Sequence, residues 1–437
     1  MSEIDPAILA DTQVNVLRGL RHRFARLVHL RFAAPAQARA WLAVARPHVA
    51  GGGQLGVAAP PVALGLAFTA AGLAHLTADR FDGGKPYGWD VFEGGIEARA
   101  DELGDILDSA PDRWEAGFRD GFHVLVSIWA DSAEALEAAI AGPYAALLTH
   151  AAVAELAVQR GERRVDNKEP FGFLDGVASP KLAGLPAVRD TGPEGSQSNL
   201  PIALDRFLIG GERPPLPDGA APTFANLARN GTFMVLRKLH QDVEAFNGYL
   251  QANAGFFTSA EKLAALMVGR WQNGTPLTSH PHRPAPGDQV MVDDFDFYDD
   301  QSGAPNCPKG SHIRRMNPRP RGPSVVHARK ILRRGYPYAE TRDGQVEQGL
   351  LFVALNADIR DQFENLQRFW AGDAALEEQV RGVYDPILGA HDRPGAARLF
   401  RGRTPTTPYE ALPRFVNVRG GAYLFVPSLS ALRLLEG

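Results

Sequence analysis

The chain has 437 residues, 45% of them hydrophobic and 22% charged, which excludes a disordered chain and fits a folded protein with a large core. Its 46 Lys and Arg against 50 Asp and Glu leave a net charge of −4, so there is no global electrostatic footprint for nucleic acid or an anionic membrane. The single cysteine, Cys307, excludes an internal disulfide and a cysteine-built zinc or iron–sulfur site, and it is compatible with a reducing compartment. The N-terminal residues show no charged-then-apolar run, and no apolar stretch approaches the ~18 residues of a membrane span, so cytoplasmic residence without membrane association is the expectation.

Length alone suggests about three domains at roughly 150 residues each. The order of elements argues for two related halves instead. Residues 24–32 read as a strand, Pro35 opens a helix where its missing N–H costs little, and Ala38, Trp41, Leu42 and Val44 continue the helical spacing. A second strand, 122–131, ends at Asp131 where an N-cap belongs and leads into a helix carrying Ala135, Leu136 and Ile140. Next comes 185–222, rich in Gly, Pro and Ser, the expected boundary. Beyond it both units have echoes. Residues 232–239 run through Asp242 into a helix with Phe246, Tyr249 and Leu250, and 350–358 end at Asp358 ahead of Phe363, Leu366 and Phe369. The pattern predicts an internal duplication of an α+β unit, each copy an antiparallel sheet covered on one face by helices.

Between these echoes, 275–323 is thick with Pro, Gly, Asp, Asn and His and holds no periodicity. Its charge is partitioned: Asp288, Asp293, Asp294, Asp296, Asp299 and Asp300 come first, followed by Lys309, Arg314, Arg315, Arg319, Arg321, Arg329, Lys330, Arg333 and Arg334 with no acid among them. Such a run reads as a solvated face, as the partner of the acidic run, or as an anion site. His312 sits at its start. A histidine flanked by arginines that can clamp carboxylates suits an iron porphyrin with propionates to neutralise, although a lone histidine is more often a surface or structural residue. Asp175, in the Phe-Gly-Phe-Leu-Asp-Gly run of 171–176, reads most simply as a turn aspartate bonded to its own backbone.

Taken together, 172–176 (Gly-Phe-Leu-Asp-Gly), 311–319 (Ser-His-Ile-Arg-Arg-Met-Asn-Pro-Arg) and 331–338 (Ile-Leu-Arg-Arg-Gly-Tyr-Pro-Tyr) resemble the three signature blocks of the dye-decolorising peroxidases. Further blocks at 11–17, 230–239, 267–277, 349–358 and 420–428 resemble that family in the same order, so the resemblance spans essentially the whole chain. It implies two ferredoxin-like halves, 1–195 with the Gly-x-x-Asp-Gly motif and 196–437 with the haem ligand, whose antiparallel sheets form a barrel-like core with peripheral helices. It further implies haem b (iron protoporphyrin IX) held by His312 as proximal ligand, Asp175 as distal acid/base and Arg333 as distal arginine. Leu350 and Phe352 alternate on a strand and are expected to form an apolar distal wall. Arg315 and Arg319 are the expected propionate partners, and Asp385, after the second helix of the second half, is the candidate carboxylate beside His312. Tyr338, with Trp271 and Tyr336 behind it, is the candidate relay for electrons from bulky donors.

The expected activity is reduction of hydrogen peroxide with one-electron oxidation of dyes, phenolics or small aromatic donors. With a reference pKa near ~3.9 for Asp against ~6.5 for His, and Arg333 favouring the charged form, an aspartate base predicts an acidic optimum. Two departures stand out: Gly335 where some relatives have Asn, and Pro170 where some have His. The rival readings are a haem carrier or iron-release protein without turnover, and a non-haem α+β interaction module. His280 and His282 read as solvated, and His327 as the backup axial ligand. A homo-oligomer is compatible with the sequence.

Overall fold

The computed structural model describes residues 4–19, 22–54, 60–78, 80–185, 201–297, 306–319, 328–342, 344–372, 384–392 and 412–437. The expected boundary at 195/196 and His327, Arg321, Asp299 and Asp300 lie outside the described residues.

Among the described residues nine strands make one sheet: β1 Phe24–Phe32, β2 Val62–Phe68, β3 Val124–Ala130, β4 Val153–Glu162, β5 Thr232–Gln241, β6 Leu332–Arg333, β7 Tyr336–Arg342, β8 Gln345–Asn356 and β9 Val416–Val426. Their spatial order is β4-β1-β3-β2-β9-β5-β8-β6, with β7 also paired to β8. The first four follow the order fourth-first-third-second. The remaining strands repeat it, with β9 fourth, β5 first, β8 third and the interrupted β6/β7 edge second. All pairings are antiparallel. A crossing helix follows the first and third strand of each set, Pro35–Ala45 and Ala133–Ala141 in one half, Val243–Asn253 and the π-wound stretch Arg360–Glu364 with Leu366–Ala371 in the other. This is the α+β, ferredoxin-like unit used twice, as the strand and helix echoes predict.

Local chemistry explains most helix starts. Pro35 occupies the first turn of its helix. Asp242 caps the corresponding helix, its side chain accepting from Ala245 N at 2.8 Å. Asp358 Oδ1 accepts from Asp361 N at 2.7 Å, as expected. Asp131 does not cap: Ser132, one residue on, accepts from Ala135 N at 3.1 Å. The strand ends one residue before the acid, which leaves the shorter hydroxyl side chain at the cap position.

The halves meet at β2 and β9, paired through Phe68 and Phe425. Phe425 packs on Trp89 with ring centroids 5.3 Å apart, and Phe92 on Phe233 at 5.4 Å, so one helix of the first half, Trp89–Gly94, is held by aromatic rings against β9 and β5 of the second. At the far side the outer strands approach each other. A Cβ on Gly161 of β4 would lie 2.6 Å from Tyr336 Cβ of β7, and the Arg163 guanidinium stacks 4.4 Å from the Tyr336 ring. The absent side chain at 161 lets the two edges close into a barrel-like core.

Candidate active site

One cavity of about 330 Å³ lies against the second half's sheet. Leu239 and Gln241 of β5, Leu350 and Phe352 of β8, and Val416 of β9 line it, one face of three neighbouring strands. The alternation of β8 is clean, with Leu351 and Val353 buried on the opposite face.

His312 opens the short helix His312–Met316 and lines the cavity. Ser311 before it donates its hydroxyl to Leu266 O at 2.5 Å, tying the turn to the helix Ala260–Val268. That helix ends at Gly269, with φ +98°, where a Cβ would lie 2.4 Å from Ile313 Cγ1; glycine is needed for both the angle and the approach. His312 Nδ1 bonds Asp385 Oδ2 at 2.9 Å. An ionised carboxylate only accepts, so Nδ1 carries the proton and Nε2 keeps its lone pair. Asp385 is fully buried, and its Oδ1 accepts from Ile387 N and Leu388 N, both at 2.9 Å. Burial alone would raise this carboxyl; His312 and the two backbone N–H groups outweigh it and hold it below the ordinary carboxylate range. The backbone of Asp385 is fixed as well, its N–H donating to Ala371 O at 2.9 Å and its carbonyl accepting from His391 Nε2 at 2.8 Å.

Asp175 lines the same cavity from the first half. Its loop is bonded to the second half: Leu174 N donates to Gln272 O at 3.0 Å, and Gln272 Nε2 donates to Phe171 O at 3.0 Å. Glu169 accepts from Phe171 N at 3.0 Å, Phe173 N at 2.8 Å and Gln241 Nε2 at 2.6 Å. Burial raises the Glu169 carboxyl even so. Asp175 Oδ1 accepts from Gly176 N at 2.6 Å, the turn bond expected of it, while the residue still faces the cavity. Arg333 ends the two-residue strand β6, lines the cavity, and donates from Nη2 to Ala178 O at 3.1 Å. The chain jogs at Gly335, where a Cβ would lie 2.7 Å from Leu351 O. A side chain such as the Asn of some relatives does not fit this backbone without a shift.

Two expected residues are elsewhere. Arg319 does not line the cavity: it stacks 4.1 Å over Phe295 and pairs with Asp293, which also takes Arg270 Nη2 at 2.6 Å. The basic run has here found its partner in the acidic run. Arg315, one helical turn below His312, is buried and donates from Nε to Trp370 O at 2.7 Å on the π-wound stretch, away from the cavity lining. Neither is among the residues that line the cavity. Tyr338, the candidate relay, lies on β7. It pairs with Gly349 while Pro337 pairs with Leu350, so its ring lies on the sheet face opposite Leu350; it is buried, under Lys238 Nζ at 4.8 Å.

The cations that do line the cavity include Arg163 and Arg334. Arg334 donates to Asn15 O at 2.7 Å, Val16 O at 3.1 Å and Arg333 O at 3.0 Å, and Arg163 to Gly335 O at 3.5 Å. Among the described residues neither pairs with a carboxylate. Burial, with Arg163 adding repulsion, lowers Arg334 to about 10. Arg163 stands outside every motif, and only its contiguity with Arg333 could have singled out Arg334.

Fold and site together define a duplicated ferredoxin-like protein whose second half presents a carboxylate-backed histidine to a cavity closed over by an aspartate loop of the first. Comparison with known proteins agrees. Residues 225–391 match the family model described as Dyp-type peroxidase, C-terminal. Dye-decolorizing peroxidase msp1 of Mycetinis scorodonius is 30% identical over 418 residues, 87% of this chain and 77% of that protein. A dye-decolorizing peroxidase of Exidia glandulosa is 31% identical, covering 85% and 75%. A solved dye-decolorizing peroxidase in complex with 2,6-dimethoxyphenol superposes with a TM-score of 0.80 at 26% identity, covering 98% and 99%. The chain belongs to the dye-decolorising peroxidases, a family of haem oxidoreductases.

Proposed function

We propose that the cavity holds haem b and that the protein reduces hydrogen peroxide while oxidising dyes, phenolics and similar aromatic donors. The observation that carries this reading is the His312–Asp385 bond at 2.9 Å on the wall of a cavity that Asp175 and Arg333 share. The donor set fits the group: one imidazole with its Nε2 lone pair available, apolar walls from Leu350, Phe352, Leu388 and Phe173, and cations without carboxylate partners at Arg163 and Arg334. In this reading Arg163 and Arg334 take over the propionates from Arg315 and Arg319.

A haem held by His312 supplies the redox chemistry that splits peroxide. Asp175 takes the proton from one peroxide oxygen and delivers it to the other. Arg333 places fixed positive charge where negative charge gathers on the departing oxygen. Leu350 and Phe352 keep water away from that point, which strengthens both electrostatic effects. Asp385 accepts from His312 Nδ1 and increases the electron donation of the ring through Nε2. Cytoplasmic residence belongs to the same proposal, on the strength of one buried cysteine and no disulfide. No helix among the described residues is long and apolar enough to cross a membrane.

The test is reconstitution with haem, followed by peroxide and a dye. The reading predicts a Soret band, spectral change on peroxide, dye loss fastest in acid because a carboxylate base stays ionised where an imidazole is protonated, and loss of ~10²–10⁴ in the peroxide step for Asp175→Asn. A Soret band without turnover would support a carrier instead.

A further inference from the structure

We propose that Tyr423 is an internal one-electron donor that passes its proton to Glu364 when the protein has reacted with peroxide and no external donor is present. This rests on reading the cavity as the haem site. Tyr423, on β9, is buried and donates its hydroxyl to Glu364 Oε1 at 2.9 Å. Its ring meets Phe363 at a centroid distance of 6.3 Å, and Phe363 meets Phe352 of the cavity wall at 6.2 Å, so aromatic side chains in contact link the phenol to the cavity.

Removing an electron from a buried phenol without removing its proton would leave a cation in a low-dielectric surrounding, which is costly. Glu364 removes that cost. It is fully buried, and Arg99 forks onto both of its oxygens at 2.8 and 2.6 Å, which leaves Oε1 facing the phenol as a hydrogen-bond acceptor. Arg99 is partly exposed and also pairs with Glu102 at 3.4 Å, so the network reaches solvent. At rest the phenol is intact, its acidity suppressed by burial and by the Glu364 charge.

Other buried tyrosines lack this arrangement. Tyr338 has a buried hydroxyl with no hydrogen-bond partner, on the sheet face away from the cavity wall. Tyr336 donates to the carbonyl of His22 at 3.1 Å, which is no base at neutral pH.

In the step, the Tyr423 O–H bond breaks, the proton forms an O–H bond on Glu364, and the electron reduces by one equivalent the site that peroxide has oxidised. Tyr423 becomes the neutral phenoxyl. An arriving donor returns the electron, and Glu364 returns the proton.

The experiment mixes the haem-loaded protein with peroxide in the absence of donor, freezes it within milliseconds and records electron paramagnetic resonance. A tyrosyl signal is expected in the parent and in Tyr338→Phe, lost in Tyr423→Phe, and reduced severalfold in Glu364→Gln, whose amide cannot take the proton. 3-Fluorotyrosine placed at position 423 keeps the hydroxyl and the packing, and must add fluorine splitting to the signal. An unchanged signal in Tyr423→Phe, an unsplit signal with the fluorinated residue, or no tyrosyl signal in the parent overturns the inference while the Soret band stands. Absence of the Soret band overturns both the inference and the haem reading beneath it.

Discussion

Asp385 is the residue on which the lower side of the site depends, because it meets His312 with one oxygen and its own backbone turn with the other. Replacing it with Asn keeps the size and removes the charge. Haem affinity or peroxide reactivity should fall ~10–100-fold, with a more positive ferric/ferrous potential, measured by haem titration and spectroelectrochemistry. The cations separate by the same measurements. Arg334→Met should weaken haem binding, having lost a cation that faces the cavity. Arg319→Met should leave haem affinity near the parent's and lower the melting temperature, since it strips a buried partner from Asp293 at a cost of ~3–5 kcal/mol. That His312, Asp175 and Arg333 meet at one cavity was legible because each sits in a short motif with a recognisable neighbourhood. The placement of Arg315 and Arg319 off the cavity lining was not legible, because closeness to His312 in sequence does not say which way a side chain leaves the helix His312–Met316 or the turn after it. Arg163 was illegible because only closure of the sheet brings it beside Arg334.

At the scale of elements, the loop 166–179 and the π-wound stretch 360–371 carry the site. The loop is held by Glu169, whose carboxylate serves two backbone N–H groups and Gln241. Glu169→Gln has one accepting oxygen fewer and should lose about one hydrogen bond, so the peroxide step should slow about tenfold with haem affinity near the parent's, as stopped-flow mixing would show. The π-wound stretch offers Trp370 O to Arg315 and Ala371 O to Asp385, placing two residues beneath His312 from one helix end. Strand periodicity disclosed most of these elements, including the alternation that puts Leu350 and Phe352 on the cavity face. It could not disclose the extra winding of 360–371, which depends on tertiary contacts such as the Arg99 fork on Glu364 rather than on residue spacing.

Across the whole molecule, the duplication was readable because each half repeats its strand-to-helix chemistry, while the barrel-like closure was not, since it turns on a single glycine against Tyr336. The core also carries a pH liability. His29, stacked on Phe122 at 4.2 Å, and His391, bonded to Asp385 O, are buried and pulled from 6.5 to about 4 by desolvation. Below pH 6.5 the unfolded chain takes up protons that the folded one refuses, so stability falls as pH drops toward 4 and levels off below it. Each ring contributes on the order of 3 kcal/mol over that window. Thermal melts should therefore drop between pH 7 and 5, less steeply for His29→Phe, and the acidic optimum of activity should sit where the fold is losing stability.

The central claim is that His312, backed by Asp385, binds the haem iron. Resonance Raman spectroscopy of the ferrous protein reads that bond directly. The account predicts an iron–histidine stretch that moves to lower frequency in Asp385→Asn and vanishes in His312→Ala. The same band, unshifted, in His312→Ala would contradict it.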